Sequence, residues 1–169
     1  GLKDKFVVGH VGRLHPQKNH DFLIDVFAEI KKKKPDAELI LVGTGPLEEK
    51  VKSKVIEKCL SDCVHFLGNR KDMNRIYQAM DVFVFPSLFE GLGIVAIEAQ
   101  AAGVPIVCSE GLPPETDITP IYQKLLLSDG AEKWANVALE MAQNLKAHTN
   151  MQQYVIDAGF DMDATAKYM

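Results

Sequence analysis

Positive charge is not in excess in this sequence. Its 169 residues carry 19 Lys and Arg against 23 Asp and Glu, a formal net charge of −4. No global field therefore draws nucleic acid or anionic lipid, and any bound anion must be held locally. Cysteine is scarce. Cys59, Cys63 and Cys108 are an odd set without C-x-x-C spacing, which argues against a zinc or redox site and suits a reducing, cytoplasmic compartment where thiols pack as small apolar groups. Apolar runs are short, none approaching the ~18 residues that cross a bilayer, and no charged segment followed by an apolar one stands at the front. Neither a membrane span nor an export signal is expected. Fixed-period repeats and low-complexity tracts are missing too. Gly1 rather than Met leads the chain and a core-like strand follows almost at once, a start that reads as part of a longer protein.

What is present is the composition of one globular domain, 47% hydrophobic and 25% charged, over a length that suits a single core spanning residues 1–169. Strands are expected over Phe6–Gly12, Glu38–Val42, Val64–Leu67, Val82–Phe85, Pro105–Cys108 and Lys124–Leu127. Helical spacing covers Phe22–Lys34, Leu47–Lys58, Asp72–Met80, Gly93–Ala102 and Ala131–Lys146, with Pro46 suited to a first helical position. Two short helices, Met151–Ala158 and Asp163–Tyr168, close the chain. Lys31–Lys34 read as a solvated last turn at the negative end of a helix dipole. Strands alternating with helices require right-handed crossovers, so the fold class is α/β, a doubly wound parallel sheet in three Rossmann-like layers. Function then belongs to the loops at the carboxyl ends of the strands.

Two of those loops carry chemistry. The first, Gly12-Arg13-Leu14-His15-Pro16-Gln17-Lys18-Asn19, sets two cations before a helix N-terminus, and Gly12 lets backbone approach closely. Phosphate is the natural ligand, although a solvated capped loop has the same composition. His15 reads as a surface residue. The second loop runs Pro86-Ser87-Leu88-Phe89-Glu90-Gly91-Leu92-Gly93-Ile94 into a helix containing Glu98. Gly91 and Gly93 free amides at a helix start, a ready anion site. A carboxylate beside an anion is unfavourable on its own, but Glu90 makes sense as an acceptor for polyol hydroxyls. Glu98, among Val95, Ile97, Ala99, Ala101 and Ala102, needs partners if buried, and ribose hydroxyls would serve.

Together with Val42-Gly43-Thr44-Gly45-Pro46, Phe66-Leu67-Gly68 and Asp81-Val82-Phe83-Val84-Phe85-Pro86-Ser87, these pieces resemble the retaining GT-B glycosyltransferases of family 4, whose E-x7-E signature and following Ala-x-Gly-x-Pro match Glu90 to Pro105. The resemblance is clear to about residue 110 and covers the tail in outline. It implies the C-terminal, nucleotide-sugar-binding domain of a two-domain enzyme whose acceptor-binding N-terminal domain is not in this chain. By the same resemblance Arg13 and Lys18 bind the donor diphosphate and stabilise the leaving group, and Glu90 contacts sugar hydroxyls. Gly12, Gly43, Gly91, Leu92, Gly93 and Ile94 meet the donor, Glu98 bonds the ribose, and Asn69 and Arg70 fall near the base. The donor would be UDP- or GDP-linked, with no metal and no other cofactor, and configuration at the anomeric carbon would be retained. The full-length protein would serve polysaccharide or glycolipid synthesis, peripheral at the inner membrane face.

The stretch Gly111-Leu112-Pro113-Pro114-Glu115 keeps the family's Pro-Glu pair, but Ile121-Tyr122-Gln123-Lys124 lacks its usual glycines, so the donor-side wall there is expected to differ. Two other readings stay open. A sugar-nucleotide epimerase of the same architecture is one; a noncatalytic Rossmann-like nucleotide-binding module is the other, and it lacks the G-x-G-x-x-G fingerprint in its first turn.

Overall fold

The computed structural model describes residues 2–145 and 148–160. Within them, β-branched and aromatic runs form six strands: β1 (Phe6–Val11), β2 (Ala37–Val42), β3 (Val64–Gly68), β4 (Val82–Phe85), β5 (Ile106–Ser109) and β6 (Tyr122–Leu125). Helices α1 (His20–Lys33), α2 (Glu48–Glu57), α3 (Met73–Tyr77), α4 (Ile94–Ala101), α5 (Ala131–Asn144) and α6 (Gln152–Asp157) make the connections and the tail. The strands pair in parallel in the order β3-β2-β1-β4-β5-β6. This is the doubly wound α/β fold expected from the alternation of strands and helices.

Both faces of the sheet are covered, which is why its central strands are apolar on both faces except for His10 in β1 and Glu38 in β2, rather than alternating with polar residues. Val8, Leu39, Leu41, Val82, Val84 and Val107 pack with Leu23, Phe27 and Ile30 of α1, Val51 and Val55 of α2, and Trp134 of α5. Their neighbours Val7, Ile40, Val42, Phe83, Phe85 and Ile106 pack with Ile76 and Tyr77 of α3 and Ala96 and Ala99 of α4. Val155 of α6 lies against Ile97 and Ala101, on the far side of α4. Among the described residues no helix is long and apolar enough to cross a membrane.

The four consecutive lysines are each engaged. Lys31 donates to the Ala37 carbonyl at 2.7 Å, Lys32 pairs with Glu29 at 2.6 Å, Lys33 with Glu132 at 3.7 Å and Lys34 with Asp36 at 3.3 Å.

Several boundaries differ from the sequence expectation. Strand β6 begins and ends two residues earlier than Lys124–Leu127, because Tyr122 takes the register opposite Ile106. Beyond Leu125 the backbone is pulled off the sheet: the Trp134 indole donates to the Leu126 carbonyl at 2.9 Å and Glu110 accepts from the Leu127 amide at 3.0 Å. Pro46 precedes α2 rather than opening it, since the Leu47 amide is spent on the Leu14 carbonyl at 3.0 Å. Helix α3 stops at Tyr77, after which the Asp81 amide bonds the Val7 carbonyl at 2.8 Å and draws the chain into β4. Cys63 and Cys108 are buried as small apolar groups, but Cys59 is exposed. It takes the left-handed position that ends α2 (φ 57°), while Leu60 folds back to bond Val55. Lys146 and the helix expected over Asp163–Tyr168 lie outside the described residues.

Trp134 has no exposed surface, meets Phe22 edge-on at 5.3 Å and ties α5 to the end of β6. Trp134→Ala is expected to lower unfolding free energy by about 3–5 kcal/mol, the usual cost of emptying an aromatic core site. Urea denaturation followed by circular dichroism measures this, and a loss under about 1 kcal/mol would contradict the packing described.

Candidate functional site

Strand β1 lies between β2 and β4. The chain winds one way from β1 to β2 and β3, and the other way from β4 to β5 and β6, so the connections diverge at the carboxyl ends of β1 and β4. Such a reversal opens a crevice where ligands bind in doubly wound sheets. The two loops singled out above, 12–19 and 86–93, are its lips. Under the first loop the ends of β1 and β2 approach so closely that a Cβ on Gly43, whose φ is 126°, would stand 2.2 Å from the Gly12 carbonyl oxygen. Only glycine fits there.

The lips are joined by three contacts. The Leu88 amide donates to the Gln17 carbonyl at 2.8 Å, the Gln17 side-chain amide donates to the Phe89 carbonyl at 2.9 Å, and Lys18 Nζ meets Glu90 Oε1 at 2.5 Å. The ion pair is sheltered, its side chains 15% and 7% exposed, and Lys18 Nζ also lies 4.9 Å from the centre of the Phe85 ring. This pairing removes the difficulty of a carboxylate beside an anion site. Lys18 and Glu90 cancel as charges, and Lys18 keeps further N–H donors for a ligand. Arg13 is exposed and makes no hydrogen bond or ion pair among the described residues. It is the uncommitted cation of the site.

Beyond the second lip, α4 begins without a side-chain cap. Its N-cap is Gly93, held at φ 67°, a left-handed conformation that glycine adopts without strain. The Ala96 amide turns back to the Gly93 carbonyl at 2.8 Å, which leaves the Ile94 and Val95 amides without an intrahelical acceptor, and the helix dipole favours an anion there. Gly91, Leu92 and Ile94 are exposed around this terminus. Glu98 lies one turn further in and is 9% exposed. Its Oε2 accepts a hydrogen bond from the Tyr77 hydroxyl at 2.8 Å, while Oε1 is buried without a partner. Burial pushes the Glu98 carboxyl above its ordinary pKa and the Tyr77 hydroxyl opposes that shift.

Among the described residues, every buried side-chain nitrogen or oxygen lacking a partner belongs to His10, His20, Ser87 or Glu98. All four stand at the carboxyl side of the sheet: near the end of β1, at the start of α1, just past β4, and in α4. Each such atom costs about 1–3 kcal/mol when left unpaired, and such costs are expected where a ligand is received. His10 donates from Nδ1 to the Val84 carbonyl at 2.9 Å, which leaves a lone pair on Nε2. Its ring meets that of His20 edge-on at 4.7 Å. Sequence reasoning gave these two histidines, Gln17 and Tyr77 no role. A polar group near the end of an apolar strand was the available signal for His10; His20, Gln17 and Tyr77 carried none.

Asn69 and Arg70 are exposed past the end of β3, and Arg70 forms a two-bond fork with Asp72, both at 2.8 Å. The stretch 111–120 forms a fixed wall beside the second lip. The Glu90 amide bonds the Gly111 carbonyl at 2.9 Å, and the buried Gln100 side chain accepts from the Thr119 hydroxyl and donates to the Thr116 carbonyl, both at 2.8 Å. Asp81 serves the opposite end of the sheet, where it accepts from the Val7 amide at 2.7 Å. No cluster of three or more His, Cys, Asp or Glu among the described residues is arranged to hold a metal ion.

The sequence model of the family described as glycosyl transferases group 1 matches residues 1–159. EpsF of Bacillus subtilis, named as a glycosyltransferase, is 32% identical over 94% of this chain and 42% of its own length. A GDP-mannose-dependent phosphatidylinositol monomannoside mannosyltransferase of Corynebacterium glutamicum is 33% identical over 80% of this chain and 37% of its own. Among solved structures, Anabaena HepE in complex with UDP and glucose superposes with a TM-score of 0.82 at 25% identity, covering 99% of this chain and 48% of HepE. This chain therefore spans less than half the length of these relatives. The structural neighbours are GT-B glycosyltransferases.

The histidine pair generates a pH signature. Burial, then Lys18, brings His20 from 6.5 down to about 4, and burial, then His20, holds His10 well below 6.5. With the folded pKa lowered, the unfolded chain takes up protons first. The stability is thus fully present above pH 6.5 and is lost as pH falls towards 4, by about 3 kcal/mol from His20 alone. In urea titrations between pH 7 and 4.5 the His20→Leu variant is expected to lose the His20 share of this slope and keep the part that burial of His10 gives; an unchanged slope would show that His20 titrates normally.

Proposed function

The chain belongs to the glycosyl transferases group 1 family, and from that premise we propose that it is the donor-binding domain of a family 4 enzyme that transfers a sugar from a nucleoside-diphosphate sugar with retention of configuration. The observation that carries this reading is the arrangement at the strand reversal: a free Arg13 and a Glu90-paired Lys18 belong to one lip and the uncapped start of α4 follows the other, with an unpaired carboxylate oxygen on Glu98 one turn further in. A diphosphate seated between the lips meets positive charge from both sides.

Breaking the bond between sugar and phosphate leaves negative charge on the departing diphosphate. Lys18, held by Glu90, and the α4 amides are in place where that charge grows and stabilise it without reorganising, and the free Arg13 adds a second cation. Lys18 bridges Glu90 and a phosphate oxygen, so the contact that joins the lips also fixes the sugar-binding carboxylate. Glu90 then accepts hydrogen bonds from donor hydroxyls, and Glu98 accepts from the ribose through Oε1. Gly12 and Gly43 keep the floor low, Gly91, Leu92, Gly93 and Ile94 border the phosphates, and Asn69 and Arg70 border the base. The basic loop and helix start stand in for a divalent cation. The acceptor is received by a further N-terminal domain of the full-length protein, which works at the cytoplasmic membrane face in polysaccharide or glycolipid synthesis. HepE's UDP complex and the GDP-mannose dependence named for the Corynebacterium relative support a UDP- or GDP-linked donor.

Calorimetric titration with UDP, GDP and ADP tests the reading. One diphosphate is expected to bind with an affinity that changes less than about twofold when magnesium is replaced by EDTA, because fixed protein charges hold the phosphates. Lys18→Ala and Glu98→Ala are each expected to weaken it by about 10- to 100-fold, the worth of a hydrogen bond to a charged group. Failure of all three to bind the full-length protein, or affinity untouched by both substitutions, would refute it.

A further inference from the structure

Glu98 does not hold its own position. A glutamate side chain has several rotatable bonds, and on the apolar helix α4 little else is available to orient a carboxylate. What orients it is one atom from another helix, the Tyr77 hydroxyl, 2.8 Å from Oε2 and also 3.4 Å from the Val95 carbonyl. Tyr77 is the last residue of α3, 2% exposed, with its ring edge-on to Phe83 at 6.3 Å. Met73 and Ile76 of the same short helix are buried in that core as well. The hydroxyl is therefore fixed by packing that is independent of Glu98. Burial, then the nearby carboxylate, raises the Tyr77 pKa well above 10, so the hydroxyl stays protonated and donates. One carboxylate oxygen is tethered by the protein, and the other is left as an acceptor without a donor.

We infer that Tyr77 is a positioning residue whose hydroxyl anchors Glu98 through Oε2, turns Oε1 towards the vicinal hydroxyls of a ribose, and so sets the preference of the site for ribonucleotides over deoxyribonucleotides. The inference rests on the proposed ribose role of Glu98. The bond between α3 and α4 then belongs to sugar recognition as well as to packing. A carboxylate without this anchor still provides charge, but no longer a fixed acceptor geometry, so the loss falls on contacts that depend on direction. Diphosphate contacts at Arg13 and Lys18 lie on a different loop and are untouched, and the backbone amides at the start of α4 are not bonded by the Tyr77 hydroxyl.

The test compares UDP and GDP with their 2′,3′-dideoxy counterparts on the full-length protein and its Tyr77→Phe variant, which removes one oxygen atom. The unaltered protein is expected to prefer the ribonucleotide by about tenfold or more, as one charge-assisted hydrogen bond gives. Tyr77→Phe is expected to cut that preference at least about threefold while affinity for the dideoxy ligand stays within about twofold, since the phosphate contacts remain. A purely structural bond would behave otherwise. Unfolding of the variant, or an equal loss of both ligands, would make the hydroxyl a structural group and overturn the inference. An undiminished ribose preference in Tyr77→Phe overturns it too, while leaving the ribose role of Glu98 standing. If the unaltered protein itself binds ribo and dideoxy ligands equally, the ribose role of Glu98 fails, and the inference with it.

Discussion

The site depends on the joining of two loops that the winding of the sheet sends apart. Beyond β1 and β4 the chain departs in opposite directions, and without cross-links the lips of the crevice would be independent surface loops. Gln17 and Lys18 hold them together by bonds to Leu88, Phe89 and Glu90. The ion pair is mostly sheltered from water, which weakens screening and makes its geometry matter. It also decides the charge of the crevice, because a bare carboxylate would repel phosphate where a paired one does not.

Unpaired polar atoms tell the same story. A folded domain leaves few buried polar atoms without partners, and here those on described side chains gather at one end of the sheet, on His10, His20, Ser87 and Glu98. Packing serves the rest of the molecule, where both faces of the sheet are apolar and Lys32, Lys33 and Lys34 at the end of α1 pair with neighbouring carboxylates. Stability is given up where the loops meet. The neutral histidine pair keeps further positive charge away from the buried side of Lys18 and destabilises the fold once protonated.

Much of this was legible in local pattern. The strand and helix order, the parallel sheet and the two loops followed from runs of Val, Ile and Phe punctuated by glycine, since such patterns reflect local backbone geometry and burial. Edges were less legible. Strand β6 moved by two residues because Tyr122 pairs opposite Ile106 while Trp134 and Glu110 capture the backbone after Leu125. Cys59 looked like a core residue by type, yet its place at the end of α2 turned it outward.

The sequence by itself determined the candidate residues of the site: a loop with Arg13 and Lys18, a glycine-opened helix, and two carboxylates eight positions apart. Tertiary structure decided which of them meet. Lys18 and Glu90 are separated by 72 residues, and Tyr77 and Glu98 by 21. Neither pairing leaves a trace in local spacing, because strand order rather than sequence distance brings the elements together. Glu98 could be read as a carboxylate in need of partners; that one oxygen would be anchored by a tyrosine and the other left open was settled only by packing α3 against α4.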